Sequence, residues 1–134
     1  MGHVTAGVAA RRAHVNIQTL RYYERRGLLG TPARTASNYR LYTEDAVRRV
    51  CFIKRAQRLG FALEEVRELL ALRATRSKTF QVRARAEARV RQIDDSIQSL
   101  LAMREALTRL IGACSGASTA SDCPILEALD TEDN

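Results

Sequence analysis

The sequence predicts a mainly α-helical protein: a small helical head bearing a short β-hairpin, one long helix, and a short tail. Three observations predict it. Two short helical segments separated by a three-residue turn are followed by an aromatic and basic stretch with β preference. A heptad-spaced apolar series then runs from Ala86 to Ile111. Charge also divides the chain. Residues 1–60 hold 12 Lys and Arg against three acids, a net of +9, and residues 61–134 hold ten against 12, a net of −2.

At the N-terminus, Thr5 precedes Ala6–Arg12 and supplies a hydroxyl N-cap for the first helix. Ala13, His14 and Val15 form the turn. Asn16 caps a second helix from Ile17 to about Arg26, which Gly27 stops. The pair makes a helix-turn-helix. The stretch from Thr31 to Tyr42 changes character, with Pro32, Ser37 and Asn38 beside Tyr39 and Tyr42, and reads as a hairpin or wing. Thr43 followed by Glu44 and Asp45 opens the next helix, which runs to about Leu59 and ends at Gly60. Another starts near Ala62, with Leu63, Val66, Leu69 and Leu70 at helical spacing, and a polar, basic break follows at Arg73–Lys78.

The longest periodic segment comes next. Ala86, Val90, Ile93, Ile97, Leu100, Leu107 and Ile111 recur at heptad steps, with Arg104 in the one slot where an apolar residue is expected. A helix from Phe80 to Ile111 would span about 48 Å. Such a stripe needs a partner, and the same helix of a second chain is the simplest; packing against the chain's own helices is the alternative. The organisation expected is a head over residues 1–75, a dimerisation helix over 76–112, and a tail over 113–134.

A basic half joined to a near-neutral half points to a nucleic-acid-binding module with a separate second task. Arg21 and Arg25 lie four apart on the second helix with Tyr22 beside them, and the wing adds Arg34, Asn38, Tyr39, Arg40 and Tyr42. Arginine reads guanine edges or clamps phosphate, and tyrosine hydroxyls bond phosphate from a rigid ring. Tyr23 reads as a core ring, and His14 as a surface residue within reach of phosphate. No apolar run approaches the ~20 residues of a membrane span, and no secretory pattern opens the chain, so a cytoplasmic protein is expected. No nucleophile–base pair, phosphate loop or carboxylate constellation is present, so an enzyme is not expected.

Cys114 and Cys123 flank a small, polar loop after the long helix, and Pro124 suits the first turn of a terminal helix. Two thiolates in a compact loop suit thiophilic ions rather than Mg²⁺ or Ca²⁺. A redox disulfide and two incidental thiols remain alternatives from spacing alone. Cys51, in Val50-Cys51-Phe52-Ile53, reads as a buried structural thiol.

The string LRYYERRGLL (Leu20–Leu29), NYRLY (Asn38–Tyr42) and RAQRLGFALEEVRELL (Arg55–Leu70) resemble the recognition helix, wing and following helices of the MerR family of transcriptional regulators. The resemblance extends from Gly7 to about Leu129. It implies a winged helix-turn-helix DNA-binding head, a long antiparallel coiled-coil dimerisation helix and a C-terminal metal-binding loop. It also implies a homodimer on a two-fold operator in double-stranded promoter DNA. Asn16, Thr19, Arg21, Tyr22, Arg25, Arg34, Asn38, Tyr39, Arg40 and Tyr42 are the expected DNA-binding residues. Regulators that look like this activate by distorting promoter DNA, acting on RNA polymerase only through that DNA.

The cysteine loop with CPILEAL after it is similar to the metal loop of the family's metal sensors. In the sensors for mercury, zinc, cadmium and lead, a third cysteine at the start of the long helix of the partner chain completes the site. That position falls near Thr79 here, with Ser77 and Lys78 alongside, and no cysteine is there. The missing sulfur resembles the copper, silver and gold sensors, whereas the loop length resembles the divalent ones. A missing sulfur removes a ligand and an extra residue only adjusts the path, so Cu(I), Ag(I) or Au(I) on Cys114 and Cys123 is the favoured expectation. Hg(II) or another thiophilic divalent ion, and a thiol redox sensor, are the alternatives. A drug sensor of the same fold would append a larger effector domain than the roughly 23 residues after Ile111 allow.

Overall fold

The computed structural model describes residues 2–30, 32–116 and 119–131. Thr31 of the expected wing, Ala117 and Ser118 of the cysteine loop, and residues 132–134 lie outside them. The described chain forms two compact units, residues 1–85 and residues 86–134.

The first unit begins with β1 (His3–Thr5), which no periodicity in the sequence announced. Thr5 then caps α1 (Ala6–Ala13), accepting from the Val8 amide at 3.4 Å. His14 closes α1 in the left-handed region at φ 56°, returning its N–H to Ala10 and Arg11 carbonyls and turning the chain toward the next helix. Asn16 caps α2 (Ile17–Arg25): its Oδ1 accepts from the Thr19 amide at 2.7 Å and the Thr19 hydroxyl at 2.9 Å. The wing consists of β2 (Ala33–Arg34) and β3 (Arg40–Thr43). β3 lies in the middle of an antiparallel sheet of order β1-β3-β2, with Val4 opposite Tyr42 and Arg34 opposite Arg40.

Thr43 ends the sheet and caps α3 (Glu44–Arg58), with Glu44 and Asp45 in the first turn. α4 (Leu63–Ala74) has no side-chain N-cap, but Glu65 reaches back to the Ala62 amide at 2.8 Å. The core of this unit lies among α1, α2, α3 and α4. Leu20, Leu28, Val50, Ile53 and Val66 are fully buried there. Ala9, Ala10 and Ala13 give α1 a small-residue face that lets it approach α3 closely. Gly27, at φ 72°, adopts a conformation that costs other residues strain and turns Leu28 inward.

α5 (Thr79–Ala113) is the long helix, and it contributes no buried residue within one chain. In the second unit it is followed by a 3₁₀ turn at Ala120–Asp122 and by α6 (Pro124–Leu129), with Pro124 at the first helical position as expected. Among the described residues, no helix is long and apolar enough to cross a membrane.

Candidate nucleic-acid and metal sites

α2 has two faces. Leu20 and Tyr23 point into the core, and the Tyr23 hydroxyl donates to Gln57 Oε1 at 2.7 Å, as its reading as a core ring required. Burial also pushes the Tyr23 hydroxyl pKa up. On the opposite face Arg21, Tyr22 and Arg25 are exposed. The Arg25 and Arg26 guanidinium carbons lie 6.0 and 5.9 Å from the centre of the Tyr22 ring, so the ring sits between two cations. Gln18 shares this face and was missed by the sequence reading, although its spacing from Arg21 and Arg25 is that of a single helical face.

The wing is shaped by Asn38 at φ 67° and by Thr35, whose carbonyl accepts from the Asn38 amide at 2.9 Å. Thr35 Oγ1 accepts from the Tyr39 amide at 3.0 Å. Arg34 is held across the turn, donating to the Asn38 carbonyl at 3.2 Å. Tyr39, 70% exposed, stands out from the strand. Arg21, Asn38, Tyr39 and Arg40 line a 360 Å³ concavity together with Thr5 and Gly7. A basic, aromatic hollow between a helix and a wing is suited to a phosphate-bearing backbone.

Four expected members behave differently. Tyr42 is a correction: it is 3% exposed, its ring belongs to the core, and its hydroxyl donates to Glu24, so no face remains for DNA. Arg40 is half-buried and ion-paired with Glu24 at 3.1 Å, which makes it a brace for the wing before it is a contact. Asn16 and Thr19 spend their polar groups on each other at the start of α2. Cys51 is also corrected: it is half-buried and lines a 630 Å³ cleft with Phe52, Ala56 and Leu69. His14 and His3 are exposed.

In the second unit the structure brings Cys114 and Cys123 together. α5 ends with the Cys114 amide on the Ile111 carbonyl at 3.1 Å, and Gly116 at φ 77° turns the loop. Cys123 is the N-cap of α6. The Leu126 and Ile125 amides of the first helical turn hold its thiol below the usual range, and the Cys114 thiol adds to this from hydrogen-bonding reach. Both sulfurs are half-buried and free of disulfide. A pair of accessible thiols, one favoured as thiolate, fits a soft ion that two sulfurs can hold. Among the described residues no group of three or more His, Cys, Asp or Glu side chains converges for a metal.

Ser77 and Thr79 belong to the first unit. The Ser77 amide donates to the Leu72 carbonyl at 2.9 Å, its hydroxyl lies 2.8 Å from that of Thr75, and Thr79 opens α5 exposed.

Comparison with known proteins agrees with this geometry. Residues 4–72 match the family described as MerR HTH family regulatory protein, and residues 47–110 match the family described as MerR, DNA binding. The chain is 36% identical to the mercuric resistance operon regulatory protein of Serratia marcescens over 97% of its own length and 90% of the relative's. It is 37% identical to the HTH-type transcriptional regulator ZntR of Escherichia coli, covering 92% of this chain and 90% of that one. Its fold is similar to that of the transcription regulator PbrR691 from Ralstonia metallidurans in complex with lead(II), with TM-score 0.83, 35% identity and coverage of 94% and 98%.

Proposed function

This chain belongs to the MerR family of helix-turn-helix regulatory proteins, and on that premise we propose that it is a metal-responsive transcriptional regulator acting as a homodimer on promoter DNA. The observation that carries the metal reading is the pairing of Cys114 with Cys123, a two-sulfur site in a unit separate from the basic face.

The head supplies the DNA contacts. Arg21, Tyr22 and Arg25, with Gln18, present the outer face of α2 to the major groove, and Arg34 and Tyr39 reach the flanking phosphates from the wing. Glu24 fixes the angle between the two by accepting from Arg40 and Tyr42. The exposed apolar series on α5 supports pairing with a second copy, which doubles the head onto a two-fold operator.

Cys123 binds as thiolate beside the α6 amides, and Cys114 closes the site from the end of α5. A bound soft ion supplies two strong metal–sulfur bonds that tie the end of α5 to the start of α6. Any ion that binds one arrangement of the dimer better than the other shifts it toward distorting the promoter. The two-sulfur set suits Cu(I), Ag(I) and Au(I), and it suits Hg(II) equally. The relative named for mercuric resistance and the similar structure in complex with lead(II) give the monovalent ions no advantage.

Run-off transcription tests this reading, using a template that carries a two-fold site selected from random DNA by the protein itself. Transcript should rise when Cu(I), Ag(I) or Hg(II) is added to the wild type and stay flat for Cys114→Ser and Cys123→Ser. A wild type whose transcript ignores all of these ions would overturn it.

A further inference from the structure

The cleft of 630 Å³ that Cys51 lines lies in the head, between α3 and α4, and neither the outer face of α2 nor the cysteine pair makes use of it. Its lining is mostly apolar. Cys51, Phe52 and Ala56 come from α3, Leu69 from α4, and Phe61 from the connection between the two helices. Leu59, 65% exposed, also lines it. A hollow of this volume takes one drug-sized molecule, and covering its apolar surface would be favourable.

The polar part of the lining is cationic: Arg12, Arg48, Arg55 and Arg73 contribute to it, and no Asp or Glu does. Arg12 is already matched by Glu44 at 2.6 Å, and Arg48 by Asp45. Arg55 and Arg73 have no acid three or four places away on their own helices, and among the described residues neither makes an ion pair. Arg73 lies instead over the Phe52 ring, its guanidinium carbon 5.3 Å from the ring centre. Two unmatched guanidiniums, one from each of two packed helices, thus border one apolar hollow. That combination selects the occupant. A phosphate backbone would meet the charges and leave the apolar lining wet. A neutral apolar molecule would cover the lining and leave the charges unmatched. An anion with an apolar body satisfies both, because a guanidinium can hold a carboxylate or sulfonate through two parallel hydrogen bonds.

We propose that this cleft binds a small organic anion free in solution, an aryl or alkyl body carrying one carboxylate or sulfonate, with the body against Phe52, Phe61 and Leu69 and the anionic group on Arg55 and Arg73. The head then takes a ligand of its own, chemically unrelated to the soft ion of the cysteine pair. The site stands or falls independently of the metal reading.

Two fluorescent probes of one shape test it on the full-length reduced protein: 8-anilinonaphthalene-1-sulfonate and its uncharged counterpart, N-phenyl-1-naphthylamine. The sulfonate should bind saturably, one per chain, and at least about fivefold more tightly than the neutral probe, as two charge-assisted contacts at a partly exposed site allow. In the double variant Arg55→Gln/Arg73→Gln that preference should shrink to less than about twofold, with the fold intact by circular dichroism because both side chains are exposed. Cys51 reports the location. In the variant Cys114→Ser/Cys123→Ser it is the one remaining thiol, and its alkylation by iodoacetamide should slow about tenfold at a sulfonate concentration about ten times the dissociation constant. Equal affinity for the two probes in the wild type overturns the proposal. So does sulfonate binding that leaves Cys51 alkylation unchanged, which would place the probe elsewhere, on the apolar stripe of α5 for instance. A Cys51 that reacts only after denaturation also overturns it, because the cleft would then be closed, as by a second copy.

Discussion

Glu24, on the second helix of the helix-turn-helix, and Arg40, on the central strand of the wing, are joined by an ion pair of 3.1 Å, and the Tyr42 hydroxyl donates to the same carboxylate. The Glu24 side chain is only 11% exposed, so the contact is sheltered from water. Through it α2 and the wing are tied to each other.

Removing that carboxylate should loosen the wing. Glu24→Gln keeps the shape but loses the charge, and should cost about 1.5–3 kcal/mol of stability, the range for a hydrogen bond to a charged group. Operator affinity should fall with it, because the wing loses its set angle to α2. Urea denaturation and a binding titration at fixed salt check both. An affinity unchanged by Glu24→Gln would mean that the wing is positioned by the strand pairing alone.

Two tyrosines of the wing separate structure from contact. Tyr42→Ala empties a core position and should destabilise the head by about 3–5 kcal/mol, as for other large aromatic truncations. Tyr39→Ala alters an exposed ring and should change stability by less than about 0.5 kcal/mol, yet weaken DNA binding. Thermal melts beside binding isotherms give the comparison. Equal destabilisation by the two would contradict the placement of Tyr42 in the core.

The exposed arginines should divide by what they touch. Arg34→Ala, on the wing, should lower the slope of log affinity against log salt by about one and weaken all DNA sequences alike. Arg21→Ala, on the outer face of α2, should cost about 1–3 kcal/mol on the selected site and much less on random DNA. Isotherms at four salt concentrations on both kinds of DNA resolve the two behaviours.

The Arg12–Glu44 pair links α1 to the first turn of α3, with two hydrogen bonds of 2.8 and 2.6 Å. The hydrogen bond from Arg12 is the main reason that the Glu44 carboxyl is held below its ordinary range. A depressed carboxyl stabilises the fold above its unfolded pKa, and the contribution is lost as pH falls through the folded one. Wild type should therefore exceed Glu44→Gln in stability at neutral pH, with the difference shrinking below about pH 4.3. Both partners are exposed, so raised salt should shrink it too.

Much of this was legible in the sequence because local chemistry decided it. Thr5, Asn16 and Thr43 are hydroxyl or amide caps that act within three residues, and each caps the helix it precedes. The heptad seam and Gly27 likewise carry their meaning locally. What escaped depends on residues distant in sequence. β1 is three residues long and exists because it pairs with β3, some 38 positions away. Tyr42 shares the aromatic, basic composition of the exposed wing residues, and only the alternation of β3 over the core turns it inward. The cysteines, by contrast, were legible locally: Pro124 puts Cys123 at the start of a helix, where the Leu126 and Ile125 amides lower its thiol.

The most direct test of the central claim is an anaerobic titration of the reduced, full-length protein with Cu(I), Ag(I), Hg(II), Zn(II) and Cd(II), followed by thiolate-to-metal absorption and chelator competition. One tightly held Cu(I), Ag(I) or Hg(II) per chain, lost in both Cys114→Ser and Cys123→Ser and retained in Cys51→Ser, is the result predicted. Tight binding that survives the loss of Cys114 or Cys123, or no tight binding of any of these ions, would contradict a two-sulfur metal sensor.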